Sequence, residues 1–188
     1  PNGSRVYAAD GSGNLYAFDA YTGAIWWTFS AGGQALASPS IGPDGTIYLL
    51  GGGLAHAIAD RGTWAELLWS KNFDSIADQY LDPVPRPEPQ PPLYPISKGN
   101  SIISVTPNNL YIAANLGYEI YLPVYKKYFF VPKMTVMVVL NPGNGSEVTH
   151  LVLRDTCDGV LTMGSDGSIY ITHGSTARSI AYYALNPY

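Results

Sequence analysis

The sequence predicts an all-β fold, and three observations carry that expectation. Glycine (20), tyrosine (15) and proline (15) are prominent among the 188 residues, a composition of turns and aromatic strands rather than of helices. A turn-plus-strand phrase recurs four times: Pro1-Asn2-Gly3-Ser4-Arg5-Val6-Tyr7, Pro43-Asp44-Gly45-Thr46-Ile47-Tyr48, Pro107-Asn108-Asn109-Leu110-Tyr111 and Ser165-Asp166-Gly167-Ser168-Ile169-Tyr170. With 46% hydrophobic and 13% charged residues the chain can bury a sizeable core, so disorder is excluded as its main state.

Each phrase reads as a hairpin turn entering a strand. Asn-Gly and Asp-Gly supply the positive φ that tight hairpin turns require, and an alternating β-branched and aromatic run follows. Tyr7, Tyr48, Tyr111 and Tyr170 stand 41, 63 and 59 residues apart, a unit of 41 with additions of 22 and 18. A period near 41 belongs to the blades of a β-propeller. The second unit divides into strands A to D at residues 36–41, 46–50, 54–59 and 66–71. The first supplies B, C and D at 5–9, 14–20 and 24–30, and the last supplies A, B and C at 159–163, 168–172 and 179–186. Residues 1–188 are thus expected to form one propeller segment, two complete blades between two partial ones. The missing first strand and missing last strand predict a piece of a larger propeller, because unpaired edges are otherwise exposed.

Ala17-Phe18-Asp19-Ala20-Tyr21-Thr22-Gly23-Ala24-Ile25-Trp26-Trp27 resembles the Ala-x-Asp-x-x-x-Gly-x-x-x-Trp docking motif of the quinoprotein, or PQQ-repeat, β-propellers. Ala17, Asp19, Gly23 and Trp27 fill its defining positions. The third unit keeps a weaker copy at Val139, Asn141, Gly145 and Thr149, and the fourth ends within the motif at Asn186. The second has drifted, with Ala57, Gly62 and Trp69 nearby. Ala37-Ser38-Pro39-Ser40 is similar to the Ser-Pro phrase that opens the inner strand in that family. The residues themselves explain the motif: Asp or Asn caps a tight turn, glycine takes the φ that the turn needs, and tryptophan buries a large ring between blades. The set is read as structural, not catalytic.

The resemblance implies one of two kinds of protein. Dehydrogenase members hold pyrroloquinoline quinone at the propeller axis with a calcium or lanthanide ion, and many clamp it with a disulfide of adjacent cysteines. Cys157 is the chain's single cysteine and cannot form that clamp. Relatives without cofactor act as binding scaffolds, and the sequence resembles these more. It implies an extracytoplasmic setting.

Charge and composition set limits of their own. A formal charge of −4 makes no strong positive field, which excludes nucleic acid and anionic membrane surfaces as main partners. No stretch approaches the roughly 18 apolar residues of a membrane span, since the run 135–140 is bounded by Lys133 and Asn141-Pro142-Gly143. The chain starts at Pro1 without a signal-like stretch, so its native N-terminus is expected elsewhere. Asp10-Gly11-Ser12-Gly13-Asn14 spaces its oxygens like the opening of a calcium loop, but Leu15 stands where that loop requires glycine and Tyr21 where it requires glutamate. A plain B–C turn is expected. His56, His150 and His173 fall on different units and make no metal-ligand pair by spacing. Cys157 lies between Asp155 and Asp158, whose carboxylates disfavour a reactive thiolate. The sequons at Asn2 and Asn144 are read as chance products of turn-rich sequence. No catalytic residue, cofactor-binding residue or metal ligand is assigned, and no cofactor is expected.

Two insertions carry the functional expectation. Residues 73–100 contain Pro83-Val84-Pro85-Arg86-Pro87-Glu88-Pro89-Gln90-Pro91-Pro92, a polyproline II strap. Residues 117–133 read as strands B and C of the third unit extended into an arm, turning at Lys126-Lys127 and carrying Tyr118, Tyr121, Tyr125, Tyr128, Phe129 and Phe130. Six aromatics beyond a sheet need burial under the strap or against another chain. Propeller topology puts both insertions on one face, where they are expected to form a contact surface for a protein partner or for remaining blades of the same propeller.

Overall fold

Along residues 14–19 the side chains of Leu15 and Ala17 are buried while those between them are half-buried, the period-two signature of a strand whose faces differ. A computed structural model describes residues 4–33, 37–72, 101–153, 161–163, 168–173 and 181–185, and the fold they make is all-β. Among the described residues there are fourteen strands in four sheets, each with its strands in chain order. The first sheet holds β1 (Arg5–Ala9), β2 (Asn14–Asp19) and β3 (Ile25–Ser30). The second holds β4 (Ser40–Ile41), β5 (Ile47–Gly51), β6 (Leu54–Asp60) and β7 (Ala65–Asn72). The third holds β8 (Ser101–Val105), β9 (Leu110–Leu122), β10 (Lys127–Leu140) and β11 (Glu147–Leu153). The fourth holds β12 (Leu161–Met163), β13 (Ile169–His173) and β14 (Ala181–Leu185). Two sheets of four strands between two of three is the pattern of complete and partial propeller blades.

The chain divides into two compact units. The first takes in the first two sheets together with Ser101–Ile112 and Val138–Thr149. The second holds Ala113–Met137 and the described residues from His150 onward. No helix among the described residues is long and apolar enough to cross a membrane.

The first two sheets repeat one another in register. Tyr7 pairs with Ala17 and Ala17 with Trp27; Tyr48 pairs with Ala57 and Ala57 with Trp69. The next rung is Val6–Phe18–Ile25 in one sheet and Ile47–Ile58–Leu67 in the other, with a bulge between the two rungs in both. Ala57 and Trp69 are therefore the counterparts of Ala17 and Trp27. Sequence drift in the second unit has a simple cause, because its C–D hairpin is two residues longer.

Leu15, Ala17 and Trp27 of the first sheet, with Ala31 just after it, pack with Ile47, Leu49 and Ile58 of the second into one core. All of β5 is buried, so both its faces are covered, and such burial contributes about 25 cal/mol per Å² of apolar surface. Strand A of this sheet is shorter than expected, only Ser40–Ile41, because Pro39 offers no N–H to the ladder.

In the second unit β9 and β10 run out to a turn over residues 123–126. The amides of Tyr125 and Lys126 donate to the carbonyls of Leu122 and Pro123, and Lys126 takes a left-handed φ of 51°. The turn thus falls earlier than at Lys126-Lys127. Proline at position 123 fixes its own φ and opens the turn, which places Tyr125 in the loop and Lys127 already in the strand. Between the strands, the buried hydroxyl of Thr135 donates to Asn115 Oδ1 at 2.5 Å, which satisfies both groups inside an apolar layer. The segments 73–100 and 154–160 lie outside the described residues.

Candidate functional site

The most elaborate polar cluster of the first unit is centred on Asp60, at the end of β6. From the first sheet, the Arg5 guanidinium bonds both carboxylate oxygens, Tyr7 Oη donates to Oδ2 at 2.6 Å and Trp27 Nε1 donates to Oδ1 at 3.0 Å. The amide of Gly62 adds a donor at 2.8 Å from the turn that follows. The Arg5 and Asp60 side chains are only 13% and 14% exposed. Burial works to raise the Asp60 pKa, but the bonds from Tyr7, Gly62, Arg5 and Trp27 outweigh it and hold the carboxyl below the usual range. Tyr7, losing solvent and facing that carboxylate, is pushed up to about 12.

A second joint repeats the first with a different acceptor. Trp69 Nε1 donates to the Pro142 carbonyl at 2.8 Å and Tyr48 Oη donates to the same oxygen at 3.3 Å. In both sheets the tyrosine and tryptophan rings lean on one another, with centroids 5.8 Å apart for Tyr7–Trp27 and 6.1 Å for Tyr48–Trp69. Both joints share one clamp, a tyrosine from strand B and a tryptophan from strand D on one acceptor residue at the C–D hairpin of the next sheet, and the first joint adds Arg5. Asp60 follows Ala57 by three residues and Pro142 follows Val139 by three, so the acceptor position is the same.

The C–D turns explain the Asp/Asn and glycine of the motif. Asp19 Oδ1 accepts the amides of Tyr21 and Thr22, and the Gly23 amide donates to the Asp19 carbonyl at 2.9 Å. Asn141 Oδ1 accepts the Gly143 amide, and the Gly145 amide donates to the Asn141 carbonyl at 2.8 Å. Gly23 and Gly145 both have φ of 70°, where side chains with a Cβ are strained. A Cβ at Gly145 would also lie 2.7 Å from the Trp69 ring. Ala17 is fully buried and Trp27 is 6% exposed. Asn186 lies outside the described residues.

Asp10-Gly11-Ser12-Gly13-Asn14 folds as the turn between β1 and β2. Asp10 Oδ1 accepts the amides of Ser12 and Asn14, and Oδ2 accepts Asn14 Nδ2 and Tyr16 Oη, at distances of 2.9–3.1 Å. Four donors occupy the lone-pair sites of one carboxylate, leaving none for a cation. The backbone and side-chain bonds from Asn14, with that from Tyr16, hold the carboxyl down at about 2. Millimolar calcium is therefore expected to leave the thermal unfolding midpoint where it is in a metal chelator, and a calcium-dependent rise in calorimetry would contradict this assignment. The same turn makes Gly13 irreplaceable: at φ 85°, a Cβ there would fall 1.5 Å from the Gly33 carbonyl oxygen. Gly13→Ala is expected to cost at least about 2 kcal/mol by denaturant unfolding.

Most of the remaining polar residues have partners, the buried Nδ1 of His56 being an atom that has none among the described residues. A cleft of about 410 Å³ opens beside Asp60, lined by Arg5, Asp44, Thr46 and Arg61 among others. Its charged groups already have partners: Arg5 pairs with Asp60, Asp44 accepts the Thr46 amide and hydroxyl, and Arg61 pairs with Glu66 at 2.5 Å. His56 is buried with Nε2 at 3.2 Å from the Gly51 carbonyl and its ring against Phe29, and desolvation lowers its pKa despite that bond. His150 is exposed, while Cys157 and the side chain of His173 lie outside the described residues. Asn144 is exposed in its turn, and Asn2 lies outside the described residues. Among the described residues no three of His, Cys, Asp or Glu gather as a metal site.

At the hairpin tip Tyr121, Val124, Tyr125 and Phe129 are exposed by 39%, 88%, 64% and 41%, and the Tyr125 and Phe129 rings meet edge to face at 5.7 Å. Tyr118, Tyr128 and Phe130 belong to β9 and β10, and their side chains lie outside the described ones. The strap at 73–100 also lies outside, so its face remains an expectation.

No family model matches the sequence, and no curated protein matches it. Among solved structures the chain is similar to BamB from Moraxella catarrhalis, at 14% identity and a TM-score of 0.36, over 96% of this chain and 74% of that one. It is also similar to the Dos1 propeller, at 8% identity and a TM-score of 0.40, over 89% of this chain and 50% of that one. The chain thus spans half the length of the Dos1 propeller chain.

Sequence reasoning missed Arg5 and Asp60. The signal available was the second unit's displaced aspartate, which follows Ala57 by three residues where Asp19 follows Ala17 by two. Along a strand one residue is one change of face. Asp19 stays with its own turn, whereas Asp60 points across to the first sheet.

Proposed function

We propose that this chain is a non-catalytic scaffold or protein-interaction module of a quinoprotein-like β-propeller, working outside the cytoplasm. Its contact surface is the tip of the 117–133 hairpin. The observation that carries the reading is the exposed aromatic tip, where Tyr121, Tyr125 and Phe129 present ring surface beside the exposed Val124. Exposed apolar clusters on arms are the usual anchors of protein contacts, because each ring brings large area at small conformational cost. The strap at 73–100 is the second part of the same surface in this reading, and residues 1–188 act as one propeller segment.

The test is the double substitution Tyr125→Ser and Phe129→Ser in the protein purified with its native assembly. Sedimentation is expected to show the assembly lost, while the unfolding midpoint moves by less than about 0.5 kcal/mol equivalent, as at other exposed positions. An assembly that survives both substitutions, or a loss of stability as large as that of a core change, would refute the assignment.

A further inference from the structure

We propose that the hairpin tip is built for an acid-rimmed partner: a protein groove whose apolar floor takes Val124, Tyr125 and Phe129 and whose edge sets aspartate or glutamate carboxylates against Lys126 and Lys127. This rests on the reading of the tip as the contact surface and names the chemistry that faces it. The backbone at Lys126 is the first reason. Among the described residues nine take a left-handed φ; eight are glycines, and the ninth is Lys126 at 51°. At Gly23, Gly32 and Gly62 nothing stands within 4 Å of a Cβ, so the conformation alone calls for glycine there. Lys126 is exposed, and its amide donates to the Pro123 carbonyl at 3.3 Å. Glycine would keep that bond and remove the strain that a side chain brings to this φ. What it would not keep is the ammonium group.

Charge is the second reason. Residues 120–133 hold Lys126, Lys127 and Lys133 and no Asp or Glu, while the whole chain carries a formal −4. The arm therefore has the opposite sign to the rest of the molecule. Among the described residues the ion pairs are Arg5–Asp60 and Arg61–Glu66, both in the first unit, so neither lysine of the tip is matched there. In sequence the two ammonium groups are flanked by Val124, 88% exposed, and by the edge-to-face pair Tyr125 and Phe129. A partner that covers these apolar side chains also takes the neighbouring ammonium groups out of water, which is unfavourable unless carboxylates stand at its edge. A neutral groove lacks that compensation, and a basic one repels the tip.

Carbodiimide cross-linking of the native assembly tests the carboxylates directly. The reagent activates a carboxylate, a lysine amine in contact displaces it as the urea, and an amide joins the two chains. Mass spectrometry is expected to find Lys126 or Lys127 linked to an Asp or Glu of another protein. Between about 50 and 500 mM sodium chloride the dissociation constant of the assembly is expected to rise at least about fivefold. The double change Lys126→Gly and Lys127→Gln is expected to raise it about tenfold at the lower salt and to remove most of the salt dependence. Lys126→Gly alone is expected to unfold no more easily than the wild type, because strain is relieved. No link, links only to carboxylates of this chain, an affinity indifferent to salt or to the lysine changes, or a lowered unfolding midpoint in Lys126→Gly would each overturn the proposal. So would lysine-dependent sedimentation with phosphatidylserine vesicles, which would put a lipid surface in place of the protein groove. The contact reading fails instead if the assembly survives Tyr125→Ser with Phe129→Ser; if it disperses there and tolerates the lysine changes, only the acidic partner is lost.

Discussion

Replacing Asp60 by alanine is expected to destabilise the first unit by about 3–5 kcal/mol, the cost of stranding one partner of a buried ion pair. The Arg5 guanidinium, Tyr7 hydroxyl and Trp27 indole would all face a space without an acceptor. Asp60→Asn retains one acceptor oxygen but no charge, and is expected to fall between the two. Urea unfolding followed by tryptophan fluorescence measures both. The pH dependence supplies an independent check. The folded pKa of Asp60 lies below its ordinary 3.8, so its contribution is complete above that value and disappears as the pH falls through the folded pKa. Asp10 behaves alike, titrating at about 2. Stability is therefore expected to hold from neutrality to about pH 5 and to fall steeply below 4, with a shallower acid limb in Asp60→Ala. Tyr7 adds an alkaline limb of opposite sign: its pKa is raised from 10.0 to about 12, so its contribution is lost as the pH climbs through that interval. Identical acid limbs in wild type and Asp60→Ala would remove Asp60 from the explanation.

The second large effect separates two neighbours in sequence. Trp27→Ala is expected to cost about 3–5 kcal/mol, because a large ring leaves a packed site between sheets and Asp60 loses a donor. Trp26→Ala is expected to cost no more than about 1 kcal/mol. Trp26 is 45% exposed, and the Arg5 guanidinium lies 4.8 Å above its ring, an interaction of about 0.5–1 kcal/mol at exposed sites. Combining Trp27→Ala with Asp60→Ala is expected to fall short of the summed costs by about 0.5–3 kcal/mol, since both disable one clamp. Strict additivity in that double-mutant cycle would show that the indole and the carboxylate act separately.

The all-β fold, the four repeats and most strand positions were legible in the sequence, because their causes are local. Alternation marked 5–9, later β1, without error, and Asp-Gly in the second phrase placed Gly45 at a φ of 85° as a hairpin turn requires. Pro39 and Pro123 were also visible, and their effects on strand A and on the hairpin turn follow from the missing N–H and fixed φ. The sites were another matter. Pro142 contributes a backbone carbonyl, which every residue has, so nothing in its side chain announces the clamp. Asp60 becomes an acceptor for three donors of the first sheet only because its hairpin is longer than that of Asp19 and turns it to the other face. The exposure of Val6 beside the burial of Ile47 has the same character. The two residues are chemically alike and equally placed in their strands, so the sequence by itself determined both as strand residues of an apolar rung. Only the tertiary structure decided that one is covered by a neighbouring sheet and the other is bare, since burial depends on which surface arrives opposite a rung rather than on the rung itself.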